Sequence, residues 1–354
     1  MNQINYMPST AVLVKAVTKS FEHPYGVMEV DAITPGRPAI VILGGDLTSL
    51  PRHANYYTKE IKSVLGECKL NDVDVYAVYY KFGSRNSYVE RINMFKNVGH
   101  RIKFLKVDDE IFEKRDEHMQ QTEPRALYIK TIFDMVIRPI ISTDVKHTRQ
   151  NAAMLRFYTH SHGGYVVREL GKKMERVLEK QKLNAKQIKD IQKQIIAIQY
   201  GPIAPLENPE FTTITFGSAS DTAMNLHNQF TEYVQDNSFD VLPSYICTNN
   251  SHLFIVGQAK ENLIGEHDPK GLHVNDDDCL TPDGKILFAA QRNVIVNTMR
   301  ATANKCPTPQ IHNLVSGNGI DFDSMKQSGT NLYQRMLREI RIQMRQIPKH
   351  GRQK

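Results

Sequence analysis

Cysteine is scarce in this chain. Four residues among 354, Cys68, Cys247, Cys279 and Cys306, lie far apart and never at the paired spacing of a metal site. That spacing excludes a disulfide framework or a cysteine-based zinc site as an organising feature, and reduced thiols in a cytoplasmic protein are expected. No apolar run approaches the roughly 18 residues that a membrane-spanning helix needs. Residues 1–18 lack the charged start, apolar centre and small-residue cleavage site of a secretory signal, so a cytoplasmic protein is expected, with export that needs no cleaved signal as the alternative. Walker loops, H-E-x-x-H and the dinucleotide G-x-G-x-x-G are all missing. Asp276-Asp277-Asp278 with Asp283-Gly284 lacks the alternation and closing glutamate of a calcium loop. No cofactor and no metal are therefore expected. Repeats, low-complexity segments and a Pro/Gly-rich linker are also missing, which favours one large unit with insertions.

What is present is ordinary globular composition: 40% apolar and 23% charged residues, enough to bury a core. The net charge of +7 is unevenly spread. Residues 331–354 carry seven basic side chains (Arg335, Arg338, Arg341, Arg345, Lys349, Arg352 and Lys354) against Glu339, so this tail holds +6 and the other 330 residues only +1. A nucleic-acid enzyme spreads basic charge over its working face, and this body does not, so no nucleic-acid partner is expected. In the tail, Leu332, Met336, Ile340, Met344 and Ile347 form a stripe at helical spacing over Leu332–Ile347. One use is packing on the core with a solvated basic face. The other is contact with an anionic membrane surface or an acidic partner.

The hydrophobic pattern alternates between strand and helix. Val12 to Phe21 and Tyr25 to Ile33 read as two early strands, and Ala39 to Leu43 as a strand covered on both faces. Tyr56 to Leu65 reads as a helix, Val73 to Tyr80 as a strand, and Ala126 to Ile141 as a helix. Met154 to Thr159 is a strand followed by a long helical pattern, Gly164 to Gln194, with a break expected near Leu183-Asn184. Ile195 to Gln199, Thr212 to Phe216 and Leu253 to Val256 are further strands, with a helix from about Thr222. The order predicts an α/β fold with a mostly parallel central sheet and helices on both faces.

The motif that carries chemistry is Leu155-Arg156-Phe157-Tyr158-Thr159-His160-Ser161-His162-Gly163-Gly164, a strand, a tight turn and a helix. A serine in such a turn takes a strained backbone that lifts its hydroxyl above the sheet edge, and small neighbours are needed because strand and helix converge there. Gly163 fills the second small position of G-x-S-x-G, and Thr159 stands where the first glycine would be. The helix N-terminus after Ser161 supplies backbone N–H groups and partial positive charge where an oxyanion would develop. His160 and His162 are read as scaffold.

The elbow His160-Ser161-His162-Gly163-Gly164 resembles the H-S-x-G-G elbow of lipases and esterases in the α/β-hydrolase superfamily. The resemblance spans about Val12 to His273, in element order more than in sequence. It implies an α/β-hydrolase-like domain over residues 1–330, with insertions near 83–125 and 259–284 that would cover the site and set substrate choice, and the basic helix and tail at 331–354. It implies a serine esterase or lipase in which Ser161 attacks a small-molecule or lipid ester. Leu43-Gly44-Gly45-Asp46 would be the loop giving the second oxyanion-hole N–H, from Gly45 or Asp46, beside that of His162. The family often has His where Leu43 stands. The triad acid would follow a later strand, where Asp221 fits and Asp240 is the alternative; Asp221 suits a helix N-cap equally well. The base would follow the next strand: His267, then His273, with His312 if the loop is long. His252 precedes that strand and belongs at the wrong edge of the sheet. The rival functions are a non-catalytic α/β-hydrolase-like interaction protein and a nucleic-acid-associated protein acting through the tail.

Overall fold

The computed structural model describes residues 11–45, 51–80, 123–202, 208–219, 221, 224, 242–248, 250–257, 282–304, 313–314 and 320–346, with backbone alone for 51–54, 123–127 and 335–346. The strands are β1 (Ala11–Ala16), β2 (Val27–Glu29), β3 (Ala39–Leu43), β4 (Asp74–Tyr80), β5 (Leu155–His160), β6 (Ile196–Tyr200), β7 (Thr212–Ser218), β8 (Ser244–Thr248) and β9 (Ser251–Val256). They form one sheet in the order β2-β1-β4-β3-β5-β6-β7-β9-β8. From β4 to β9 every neighbouring pair is parallel, while β1 and β8 run antiparallel to their neighbours. The fold is α/β, as the alternating pattern predicts.

Period-two alternation explains how the sheet is covered. Ile40 and Ile42 of β3, with Val75, Ala77 and Tyr79 of β4, face one core cluster; Val41 and Leu43, with Tyr76, Val78 and Tyr80, face the other. Helix α1 (Pro51–Glu67) covers the first face through Tyr57, Ile61 and Leu65, one helical stripe, and α6 (Pro282–Ala303) joins it through Leu287, Val294 and Met299. The second face is covered by α2 (Glu123–Ile132), α4 (His162–Lys180) and α5 (Ala185–Gln192); α4 contributes Val166, Leu170, Met174 and Leu178. A short helix, α3 (Val145–Ala152), leads into β5 and is capped by Asp144, whose carboxylate accepts the Lys146 N–H.

Several boundaries differ from the sequence reading. The first two strands end early, because the chain turns through His23-Pro24 and Gly26 at positive φ (71°), which leaves Phe21 and Tyr25 exposed. The apolar run Ala126 to Ile141 is not one α-helix. After α2 it widens into a π-turn over Phe133–Ile137 and tightens into a 3₁₀ turn over Arg138–Ile140. The π-turn shifts the register so that Phe133, Val136 and Ile137 all stay buried, and Pro139 cannot donate back to a continuing helix. The break near Leu183-Asn184 is there, with Lys182 at positive φ and Asn184 forming a capping box with Gln187. β8, α3 and α6 are elements that the reading lacked; residues 282–284, read as loop, open α6.

The last helix, α7 (Phe322–Gln346), begins ten residues before Leu332, where the apolar stripe starts. Phe322 and Met325 enter the first core cluster, and Leu332 and Tyr333 pack against Ile246, Leu253 and Ile255 on the opposite side of β8 and β9. Gly329 meets the Tyr245 backbone so closely that a β-carbon there would collide with it. α7 thus lies along the edge strand β8, one way a sheet edge is kept from pairing with other chains. Met336, Ile340 and Met344 and the tail arginines have no described side chains, and Ile347, Lys349, Arg352 and Lys354 lie outside the described residues. Among the described residues no helix is long and apolar enough to cross a membrane.

Candidate active site

β3 lies between β4 and β5, although β4 precedes β5 in the chain. Such a reversal of strand order opens a crevice at the C-terminal ends of the strands, where open α/β sheets bind ligands. The loop after β3 and the turn after β5 meet at this end of the sheet.

Ser161 is the single residue between β5 and α4, with φ 52° and ψ −121°. This backbone conformation is unfavourable for a residue with a β-carbon and costs on the order of 1–3 kcal/mol. It is imposed from both sides: the Ser161 N–H donates to the Tyr200 carbonyl at 3.2 Å, and its own carbonyl accepts the Gly164 N–H at 3.1 Å. The two glycines that follow are steric requirements. A β-carbon at Gly163 would collide with the Leu43 carbonyl oxygen, and one at Gly164 would stand 2.7 Å from Pro202 Cβ. Helix α4 therefore starts hard against the ends of β3 and β6. At the first small position of the motif, Thr159 is fully buried with no hydrogen-bond partner for its hydroxyl.

Gly45 lies against the serine. A β-carbon there would be 2.9 Å from Ser161 Cβ, 3.3 Å from Ser161 Oγ and 3.2 Å from His160 Nδ1. The structure thus brings together Ser161, Gly45 and His162, the last being the first residue of α4, in the turn whose N–H groups the helix itself does not use. Ser161 is buried, at 5% exposure, so a reacting group there would meet a low-dielectric surrounding.

Both flanking histidines are buried. The His160 ring packs on Tyr200 with centroids 6.1 Å apart. The His162 ring stacks on Tyr165 at 5.5 Å, and its Nε2 is 3.1 Å from the Tyr128 hydroxyl. Tyr128 in turn stacks on Tyr80 at 5.2 Å with planes 7° apart, and the Tyr80 hydroxyl donates to the Gly44 carbonyl at 2.9 Å. Nothing in the spacing of the sequence singles out Tyr80 or Tyr128. They read only as apolar positions of a strand and a helix.

Asp221 stands beyond the end of β7, two strands from β5, about 10 Å across the sheet. It is buried, and its Oδ1 accepts the Met224 N–H at 3.0 Å, the capping contact that its position also suits. Ser218 Oγ donates to the Gly257 carbonyl, tying the end of β7 to the end of β9. His252 is the second residue of β9 and so lies at the opposite, N-terminal edge of the sheet, where its Nδ1 is 2.6 Å from the Tyr245 hydroxyl. Burial pushes the His252 imidazole down to about 4. It is neutral near pH 7 and remote from Ser161. Asp46, Asp240, His267, His273, His312 and most of residues 83–125 and 259–284 lie outside the described residues. Among the described residues no cluster of His, Cys, Asp and Glu could hold a metal ion.

No family model matches this chain, and no curated protein matches it. Among solved structures it is similar to an α/β serine hydrolase without a lid from Xanthomonas campestris. That protein is 12% identical, with 78% of this chain and 98% of that one covered and a TM-score of 0.27.

Proposed function

We propose that this chain is a serine hydrolase acting on ester bonds, with Ser161 as the nucleophile. The observation that supports it best is the backbone of Ser161 (φ 52°, ψ −121°), a strained conformation held between β5 and α4 with Gly45 pressed against the side chain. Strain of this kind persists only where surrounding contacts impose it, and it concentrates at working sites. In this reading the Ser161 hydroxyl attacks the ester carbonyl as His267 takes its proton. Asp221 orients and stabilises the imidazolium, and the N–H groups of Gly45 and His162 receive the oxyanion. The imidazolium then returns the proton to the leaving alcohol, and water releases the acyl group by the same route in reverse. An anionic membrane surface reached through the basic end of α7 is a further partner of the proposed enzyme. The rival reading, a non-catalytic protein with a hydrolase-like elbow, is favoured by Asp221 spending Oδ1 on a helix-capping contact.

A fluorophosphonate probe with p-nitrophenyl esters separates the two. The wild-type protein should be labelled and active, and Ser161→Ala should lose both with an unchanged melting temperature. In the same assay His267→Ala should lower turnover by on the order of a thousandfold or more. Retained turnover in Ser161→Ala would sink the mechanism. A large loss in His273→Ala with none in His267→Ala would move the base to His273.

A further inference from the structure

The Gly44-Gly45 peptide presents a problem that its own residues do not solve. The proposed oxyanion donor is the Gly45 N–H, and that N–H shares one planar peptide unit with the Gly44 carbonyl. The peptide is trans, so the two bonds point in opposite directions. Whatever fixes the carbonyl fixes the N–H. Neither glycine has a β-carbon to restrict the plane, so contacts from outside set it: the Gly44 oxygen lies toward Gly163, where a β-carbon would be 3.2 Å from it, and it accepts the Tyr80 hydroxyl. A turned peptide would point its carbonyl oxygen at the developing oxyanion.

The Tyr80 hydroxyl donates to this carbonyl at 2.9 Å in a buried setting. Its ring is itself held, stacked at 5.2 Å and 7° on Tyr128 and tilted at 6.2 Å against His162. Tyr128 reaches through its hydroxyl to His162 Nε2, the side chain of the residue that supplies the second proposed donor. All three side chains are about 2% exposed, so the contacts exchange little with water. The two donor-bearing loops, one after β3 and one after β5, are thus tied to one aromatic stack.

Resting on the serine-hydrolase reading, we infer that Tyr80 is a positioning residue of the oxyanion hole: by holding the Gly44 carbonyl it aims the Gly45 N–H at the reaction site, and Tyr128 couples that alignment to His162. Tyr80 touches neither substrate nor nucleophile in this role. Its hydroxyl acts through the peptide plane alone.

Tyr80→Phe tests this, because it keeps the ring and the stack and removes only the hydroxyl. With the full-length protein, kcat for a p-nitrophenyl ester should fall by about tenfold to a hundredfold, somewhat less than deletion of a direct donor, with KM unchanged. The matching thionoester should lose much less, because sulfur is a poor acceptor for the oxyanion-hole donors. Tyr128→Phe should give a smaller loss of the same kind, and both variants should still melt cooperatively, with a melting temperature lowered by no more than the loss of one buried hydrogen bond. Unchanged ester turnover in Tyr80→Phe, or equal losses on ester and thionoester, would overturn the assignment. The premise is read separately by fluorophosphonate labelling at Ser161. If wild-type protein is not labelled, the hydrolase reading fails. The peptide-setting role then stands or falls on the Gly45 amide resonance in glycine-labelled protein: a shift or broadening in Tyr80→Phe supports it, and an unmoved signal overturns it.

Discussion

The two edges of the sheet handle polar groups differently. At the C-terminal edge the backbone is strained and crowded: Ser161 has a positive φ, and Gly163 and Gly164 are pressed against neighbouring chain. Ring hydroxyls hold backbone and side chains in place there, as Tyr80 holds the Gly44 carbonyl. At the N-terminal edge the positive-φ residues Lys69, Lys182 and Asn208 sit in the connections that lead into β4, α5 and β7, and polar groups are neutralised or left incompletely bonded. His252 is pushed down to about 4 by burial, burial also pushes the Tyr245 phenol up, and the phenol and the neutral imidazole share a hydrogen bond. Arg156, fully buried on β5, donates Nη1 to the Leu155 and Gln194 carbonyls, while its Nε and Nη2 have no partner, and desolvation lowers it to about 9. Strand β5 therefore joins both regimes, with a poorly satisfied charge near its start and a strained serine beyond its end. Stability is given up at both places, but only at the C-terminal edge does that arrangement aim anything at a shared point.

The comparison breaks most sharply at Gly163. A methyl there meets the Leu43 carbonyl, a strand backbone that cannot swing aside. Gly163→Ala should lower stability by about 3 kcal/mol, the upper range for overpacking, and displace the start of α4. Both the melting temperature and fluorophosphonate labelling at Ser161 should fall. Labelling at the wild-type rate would mean the crowding there serves packing alone.

The N-terminal edge is probed by acid. Above pH 6.5 His252 is neutral in both folded and unfolded chains and contributes nothing to pH dependence. As pH falls from 6.5 toward 4 the unfolded chain takes up a proton that the folded one refuses, so stability drops, by about 3 kcal/mol when the fall is complete. Below about 4 both states are protonated and the loss levels off. His252→Gln should flatten this part of the profile of melting temperature against pH. An unchanged acid slope would show that other groups carry it.

The smallest effect is expected at Arg156. Replacing a buried, half-satisfied guanidinium with an apolar side chain of similar length removes a desolvated charge. Arg156→Met should therefore raise stability by about 1 kcal/mol in a denaturant melt. A clear loss would mean that the bonds to the Leu155 and Gln194 carbonyls outweigh the burial.

Legibility in the sequence followed the range of the forces involved. β3 was legible to the residue, since five consecutive apolar residues between Gly36-Arg37-Pro38 and Gly44-Gly45 can be covered on both faces. The split of the long helical pattern was legible because Asn184 and Gln187 make a local capping box. Helix α6 was missed although Pro282 and Asp283 at its start are ordinary N-terminal signals; its apolar residues crowd more than one face and blur the period. β8 was missed because it is a five-residue edge strand whose partners on α7 lie far along the chain. In the site, Ser161 and Gly163 were legible from the tight turn. Tyr80 and Tyr128 were not, because a tyrosine at the end of a buried strand looks like any other core aromatic until its hydroxyl has a partner.

By itself, then, the sequence determined the alternation of strand and helix, the α/β class and the turn in which a serine must take a positive φ. These follow from hydrophobic period and from local steric limits on a few consecutive residues. The tertiary structure alone decided that β3 lies beside β5 rather than next to its neighbour in sequence, β2. That order sets Gly45 against Ser161, lets the Leu43 carbonyl forbid a side chain at Gly163, and brings the Tyr80 hydroxyl to the Gly44 carbonyl. Which loops meet at a sheet edge depends on how whole faces are covered, and no short stretch of chain contains that information.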